Sequence, residues 1–323
     1  MRSILLSLVL ATSLGATACA TMPRPDPGVD EAQVLEDLRI LAADDMEGRE
    51  TGTDGNARAR AYIIERLQEL GIQPVGDSYE HSFTFTPRRS GGAEMTGVNI
   101  LAHIPGTHGG EHTMVVTAHY DHEGMRGGQT WNGADDNASG VAGALAIAEA
   151  FTHTTPDHDV IIAIVDAEEK GLQGARAFVA NPPIPLENMA FNLNLDMLAM
   201  SEERILWAVG TYHYPALTPI VEDVAARALV SMPMGYDEPT DVPGGDWTNL
   251  TDSGAFHAVG IPFIYLGVDF HPHYHQPTDT YENMTLDFFV DAVRASVDFA
   301  RTADVRLPVI AEAEPRQAPR VEK

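Results

Sequence analysis

The chain has 323 residues, 44% of them hydrophobic, which suffices for the core of one large α/β domain or two smaller ones. A net charge of −27 leaves no basic face to neutralise phosphates, which argues against nucleic acid, and it offers anionic lipid no electrostatic attraction. Acidic surfaces keep proteins soluble, and that accounts for most of the charge; screening leaves only a weak preference for ammonium-bearing substrates.

The N-terminus reads as a leader. Arg2 precedes an apolar run from Ile4 to Leu14, too short to span a bilayer but long enough for a signal-peptide core. Ala16-Thr17-Ala18-Cys19 reads in two ways. It resembles a bacterial lipobox, with Cys19, the sole cysteine, lipidated ahead of a Pro-rich tether; it also fits an ordinary A-x-A cleavage site. Either way the mature protein is expected outside the cytoplasm, lipid-anchored in the periplasm or secreted. The expected organisation is a leader over 1–18, a tether over 19–30, a single domain over 31–304 and a disordered tail over 305–323.

In the mature chain, Val34, Leu35, Leu38 and Leu41 give the segment from Glu31 to Ala43 one apolar helical face. A second helix, from Asn56 to Leu70, stops at Gly71. The Gly-rich stretch between them is no phosphate loop, because no strand precedes it and no Gly-Lys-Ser/Thr follows. Strands are expected at Phe83 to Phe85 and Gly97 to Ile104, around a turn at Arg88 to Gly92. Buried strands at Thr113 to Ala118, Val160 to Val165, Phe191 to Leu195 and Ile261 to Val268 then alternate with helices. Those helices are Ser139 to Phe151, Gly171 to Val179, Pro215 to Leu229 and Thr285 to Thr302. The pattern predicts an α/β three-layer sandwich: a mostly parallel central sheet flanked by helices on both faces.

Five stretches supply metal-binding side chains. They hold His119 and Asp121, Asp135 and Asp136, Glu168 and Glu169, Asp196, and His275. His119, Glu168, Glu169, Asp196 and His275 all follow the C-terminal ends of expected strands, and Asp135 enters the same crevice from a helix start. Two imidazoles and three carboxylates, with one carboxylate to spare, are what two zinc-like ions need when one group is shared. Each element alone has a plainer reading: His-x-Asp as a surface pair, the Asp-Asp-Asn run as a helix cap, Glu168-Glu169 as first-turn carboxylates. Five in sequence point to a two-metal hydrolase.

His119-Tyr120-Asp121-His122, Gly133-Ala134-Asp135-Asp136-Asn137-Ala138-Ser139-Gly140, Ala167-Glu168-Glu169-Lys170-Gly171, Asn194-Leu195-Asp196-Met197 and Tyr274-His275-Gln276-Pro277-Thr278-Asp279-Thr280 resemble metallopeptidase family 28, the co-catalytic zinc aminopeptidases. Asp45 to Thr53 resembles the family's N-terminal segment, and the likeness runs from about residue 35 to 300. It implies the zinc aminopeptidase (phosphorylase/hydrolase-like) fold and two Zn2+ ions, with other divalent metals tolerated. His119 and Asp196 would hold one ion and Glu169 and His275 the other, with Asp135 bridging. Asp121 would orient His119, and Glu168 would be the general base. The substrate implied is a peptide with a free N-terminus, and a cis peptide is implied at Asp135-Asp136. A protease-associated insertion has no room between Asn99 and His119.

His271 and His273 crowd His275, and His122 reads as a wall of the site or an exposed residue. Trp131, Trp247, Tyr236 and Phe256 are candidates for a substrate pocket, with core packing as the commoner role. The loop from Ser231 to Asn249 is expected to cover the crevice and shape specificity, with Tyr236 as a guess for an oxyanion donor. The rival functions are a one-zinc glutaminyl-peptide cyclase, a related dimetal carboxypeptidase or deacylase, and a non-catalytic binding relative. The full Asp-Asp-Asn-Ala-Ser-Gly motif and the retained ligands favour a peptidase.

Overall fold

Strands buried along their length need cover on both faces, and four such strands, with only Asp159 half-buried among their residues, form the centre of this protein. The computed structural model describes residues 28–87 and 91–316. The expected leader, Cys19, most of the expected tether, residues 88–90 of the expected turn and residues 317–323 lie outside them. Helix α1 (Glu31–Leu41) starts at Asp30, whose carboxylate accepts the Gln33 N–H, and α2 (Asp54–Glu69) starts at Thr53, which caps Asn56 in the same way. Next come β1 (Gln73–Pro74), β2 (Glu80–Phe85), β3 (Met95–Ile104), β4 (Thr113–His119) and a hairpin of β5 (Gly124–Arg126) and β6 (Gln129–Trp131). The remainder runs α3 (Gly140–His153), β7 (Asp159–Val165), α4 (Gln173–Ala180), β8 (Met189–Leu195), β9 (Trp207–Val209), α5 (Thr218–Ala225), α6 (Ser253–Ala258), β10 (Phe263–Gly267), α7 (Leu286–Val305) and α8 (Leu307–Ala311).

The main sheet has the order β1-β3-β7-β4-β8-β10-β9, with β2 also pairing β3. Its centre, β7-β4-β8-β10, is parallel, and its edges are antiparallel. Along β7, Val160, Ile162 and Ile164 pack under α1, α2, α3 and α7, while Ile161, Ala163 and Val165 face α4 and α6. The chain passes from β4 to β7 on one side, then returns over β4 to β8 on the other. That reversal opens a crevice at the carboxyl ends of these strands. His119 ends β4, Glu168 and Glu169 follow β7, and Asp196 follows β8.

Three segments differ from the sequence reading. The helix expected over Pro215 to Leu229 is a 3₁₀ turn, Pro215–Leu217, followed by α5, after which the chain turns to bridge Ser231 to Ile205. The tail expected to be disordered over 305–323 begins with ordered helix: α7 reaches Val305 and α8 follows at Leu307–Ala311. Pro308 occupies the first turn of α8, where its missing N–H costs nothing, and Leu307 and Ile310 are buried. The strands β5, β6 and β9 have three residues each, too few for a legible alternation.

Candidate metal centre

The crevice brings the predicted ligand residues together in two groups. His119 Nε2 lies 3.4 Å from Asp196 Oδ1, and His275 Nε2 lies 3.4 Å from Glu169 Oε1. Between the groups stands Asp136, not Asp135. Asp136 Oδ1 is 3.2 Å from His119 Nε2, and its Oδ2 is 3.0 Å from His275 Nε2. The expected bridging role of Asp135 is therefore corrected by one residue.

The cause is the backbone at the start of α3. Asp279 accepts the N–H groups of both Asp135 and Asp136. Asp135 then turns inward, where its carboxylate takes bonds from Ala199 N–H at 2.6 Å, Ser139 Oγ at 3.2 Å and His271 Nε2 at 2.9 Å. Asp136 is non-helical (φ −105, ψ 91), and its carboxylate enters the crevice. The cis peptide likewise joins Asp136 to Asn137 rather than Asp135 to Asp136. His271 thus serves Asp135 and does not compete with His275. Ala167, Met197 and His275, each at or beside a predicted site residue, hold positive φ, a conformation that persists only where the surroundings impose it.

Asp121 also acts differently from expectation. His119 Nδ1 is 3.1 Å from the Asp121 carbonyl and 3.7 Å from its carboxylate. That carboxylate accepts instead from the N–H groups of Glu168 and Glu169 and from Thr51 Oγ1. It therefore fixes the peptide that carries two site residues. Beneath the cluster, fully buried Arg49 donates to the carbonyls of Leu41, Tyr120, Asn132 and Gly133 at 2.5–2.8 Å, tying the two ligand loops to α1. Burial lowers its guanidinium to about 10, so it stays cationic at neutral pH.

Electrostatics marks the crevice as functional. Burial pushes the Glu168 carboxyl well above the usual carboxylate range, against the opposing pull of His119. Burial likewise raises Asp196 to about 6 and Asp252 to about 7. Burial would also raise Asp136, but hydrogen bonds from His119 and His275 prevail and hold it well below its ordinary value. Asp252 was not singled out in the sequence; it is buried, both its oxygens lack hydrogen-bond partners, and it shares the field of Glu168 and His119.

Metal ions fit these residues. Buried Glu169 Oε1 has no hydrogen-bond partner, and the groups His119/Asp136/Asp196 and Glu123/Glu169/His275 each offer ligand atoms within 4.8 Å of one another. Mixed imidazole and carboxylate donors suit zinc and several other divalent ions.

His119, Asp136, Glu168, Asp196 and His275 open into a cavity of about 230 Å³. Its other wall is apolar, built from Met197, Trp247, Leu250, Tyr265, Val268 and Phe270. Of the aromatic candidates only Trp247 lines it. Tyr236 stacks on Trp247 at 3.8 Å and donates to Asp269 at 2.7 Å, Phe256 is core, and Trp131 lies under Arg126. A larger groove of about 760 Å³, between β2 and α4, contains none of these ligand groups.

A buried imidazole and carboxylate cluster at the carboxyl edge of a mixed, helix-flanked sheet is an arrangement able to hold metal ions in an α/β fold. Residues 99–300 match the model for peptidase family M28, and the chain belongs to that family. It is 31% identical over 199 residues to a vacuolar membrane protease of Schizosaccharomyces japonicus, covering 59% of this chain and 22% of that protein. It is 25% identical over 168 residues to the alkaline phosphatase isozyme conversion protein of Escherichia coli, covering 48% of each. The chain therefore spans about a fifth to a half of the length of these relatives. In fold it is similar to an Aneurinibacillus aminopeptidase (TM-score 0.67, 14% identity, 91% of this chain and 96% of that one). It is equally similar to a Porphyromonas gingivalis glutaminyl cyclase (TM-score 0.68, 16% identity, 84% and 98%).

Proposed function

We propose that the protein is a two-zinc aminopeptidase that removes N-terminal residues with apolar side chains. One observation carries the reading: the two oxygens of Asp136 are divided between His119 and His275, as a carboxylate shared by two ions requires. His119 and Asp196 would hold one ion, and Glu169 and His275 the other. When bound, such ions lower the pKa of water from ~15.7 towards ~7 and polarise a carbonyl. Glu168 takes the proton of the attacking water and delivers it to the leaving amine, a role suited to a carboxyl whose proton affinity is already raised by burial. Asp121 holds the Glu168 and Glu169 peptides in place, and the wall of Met197, Trp247 and Val268 receives the substrate side chain away from water.

The test is a panel of aminoacyl-anilides beside N-terminal glutamine peptides, each with and without chelator. Chelator-sensitive release of apolar residues is expected. Cyclisation of glutamine peptides without amino-acid release would replace this reading with the cyclase one. Export, with lipid attachment through Cys19, belongs to the same proposal; absence of palmitate labelling on the expressed full chain would remove the anchor.

A further inference from the structure

His122 lies three residues past the end of β4 and is fully buried, not exposed. Its ring packs against Gly133, where a Cβ would stand 2.5 Å from Cγ and 2.6 Å from Cδ2 and would also meet the Asp136 carbonyl, so glycine is needed there. Neither ring nitrogen has a hydrogen-bond partner. A buried imidazole in that state is costly unless something else takes a nitrogen lone pair.

Nδ1 lies 2.9 Å from Glu169 Oε1, yet the two atoms are not aligned as donor and acceptor, and Oε1 has no partner either. Two unpartnered polar atoms at that distance can satisfy each other's geometry by facing a common third point. The neighbouring atoms surround the same point. His122 Nδ1 is 3.8 Å from Asp136 Oδ2, and His275 Nε2 is 3.0 Å from Asp136 Oδ2 and 3.4 Å from Glu169 Oε1. Ligands ~2.0–2.1 Å from a tetrahedral ion lie roughly 3.4 Å apart, near the middle of that range. His122, Asp136 and Glu169 also form a ligand group within 4.8 Å.

We propose that His122 is a third imidazole ligand, joining His275, Glu169 and the shared Asp136 on the second ion. This rests on the two-ion reading above. It makes the two half-sites unequal: one imidazole on the first ion and two on the second. The nitrogen-richer half favours zinc or copper over magnesium and manganese. Because His122 also abuts Gly133, occupancy of the second ion is mechanically linked to the loop that presents Asp136.

The experiment is 113Cd/15N NMR of full-length protein carrying 15N-labelled histidine and two equivalents of 113Cd2+. Three histidine nitrogens should show 113Cd coupling in the wild type. His122→Phe, which keeps a ring of similar size, should show two, and its second ion should bind at least about 10-fold more weakly in chelator competition. His122→Gln serves the same purpose should the phenyl ring unsettle the fold. Two couplings in the wild type, with two ions still bound, would overturn the ligand role of His122 while sparing the two-ion reading. Fewer than two ions bound would overturn both.

Discussion

Glu168 owes its proton affinity to its surroundings: burial raises it, the negative charges of Glu169, Asp252 and Asp196 add to that, and His119 opposes it. Glu168→Gln keeps the shape and removes the exchangeable charge. It is expected to retain both ions and KM while losing ~10²–10⁴-fold in kcat. Near-wild-type turnover, with metal content checked, would take the proton-transfer role from Glu168. At this scale the sequence was least informative about neighbours of like chemistry. Asp135 and Asp136 are the same residue type side by side, and only partners distant in sequence decide which carboxylate faces the crevice: Asp279 holds both amides, while Ala199 and His271 hold the Asp135 carboxylate inward. His122 could be read only as a wall of the site or an exposed residue for a related reason: its burial depends on Gly133, eleven residues on, and on the fold of the loop between them.

Elements were more legible than residues where they were long and periodic. The central strands and α3 could be read because burial on both faces makes β7 an apolar run from Val160 to Val165 and β4 and β8 largely apolar, interrupted inside by Thr117, Asn192 and Asn194, and leaves α3 rich in small apolar residues. The loop of residues 231–250 offered no period, only its composition. It lacks regular structure, yet it places Trp247, 3% exposed, against the cavity, held by stacking on Tyr236 and by a bond from its Nε1 to Gly244. Trp247→Ala should therefore act on substrate side-chain binding. KM for apolar N-terminal residues is expected to rise ~10-fold or more, the scale of losing much of an aromatic contact, with kcat for an alanyl substrate nearly unchanged. Equal losses for leucyl and alanyl substrates would show that the loop supports the fold and does not select the side chain.

Across the whole molecule, the cluster is an electrostatic load that cations relieve. Burial raises Asp166, Asp196 and Asp279 to about 6 and Asp252 to about 7, all above the unfolded carboxylate value of 3.8. In the metal-stripped protein the folded state therefore binds more protons than the unfolded state between about pH 4 and 7, and stability falls as pH rises through that window. His257, lowered to about 4 by burial and by His213, and His213, itself lowered by burial, oppose this over part of the range, while Glu168, raised by burial, adds to it. In the loaded protein the sign reverses. Ions that bind only the folded state stabilise it by ~2.7 kcal/mol per site at free metal 100 times Kd, and protons compete with them for Asp196 and for the imidazoles of His119 and His275. Chelation at pH 8 is thus expected to lower Tm by several degrees, reversibly on adding zinc, and the gap between loaded and stripped protein should close as pH falls towards 5. Differential scanning calorimetry on both forms, with metal content measured, gives the answer: a gap that stays constant from pH 8 to 5 would show that Asp196 and these imidazoles are not where the ions bind.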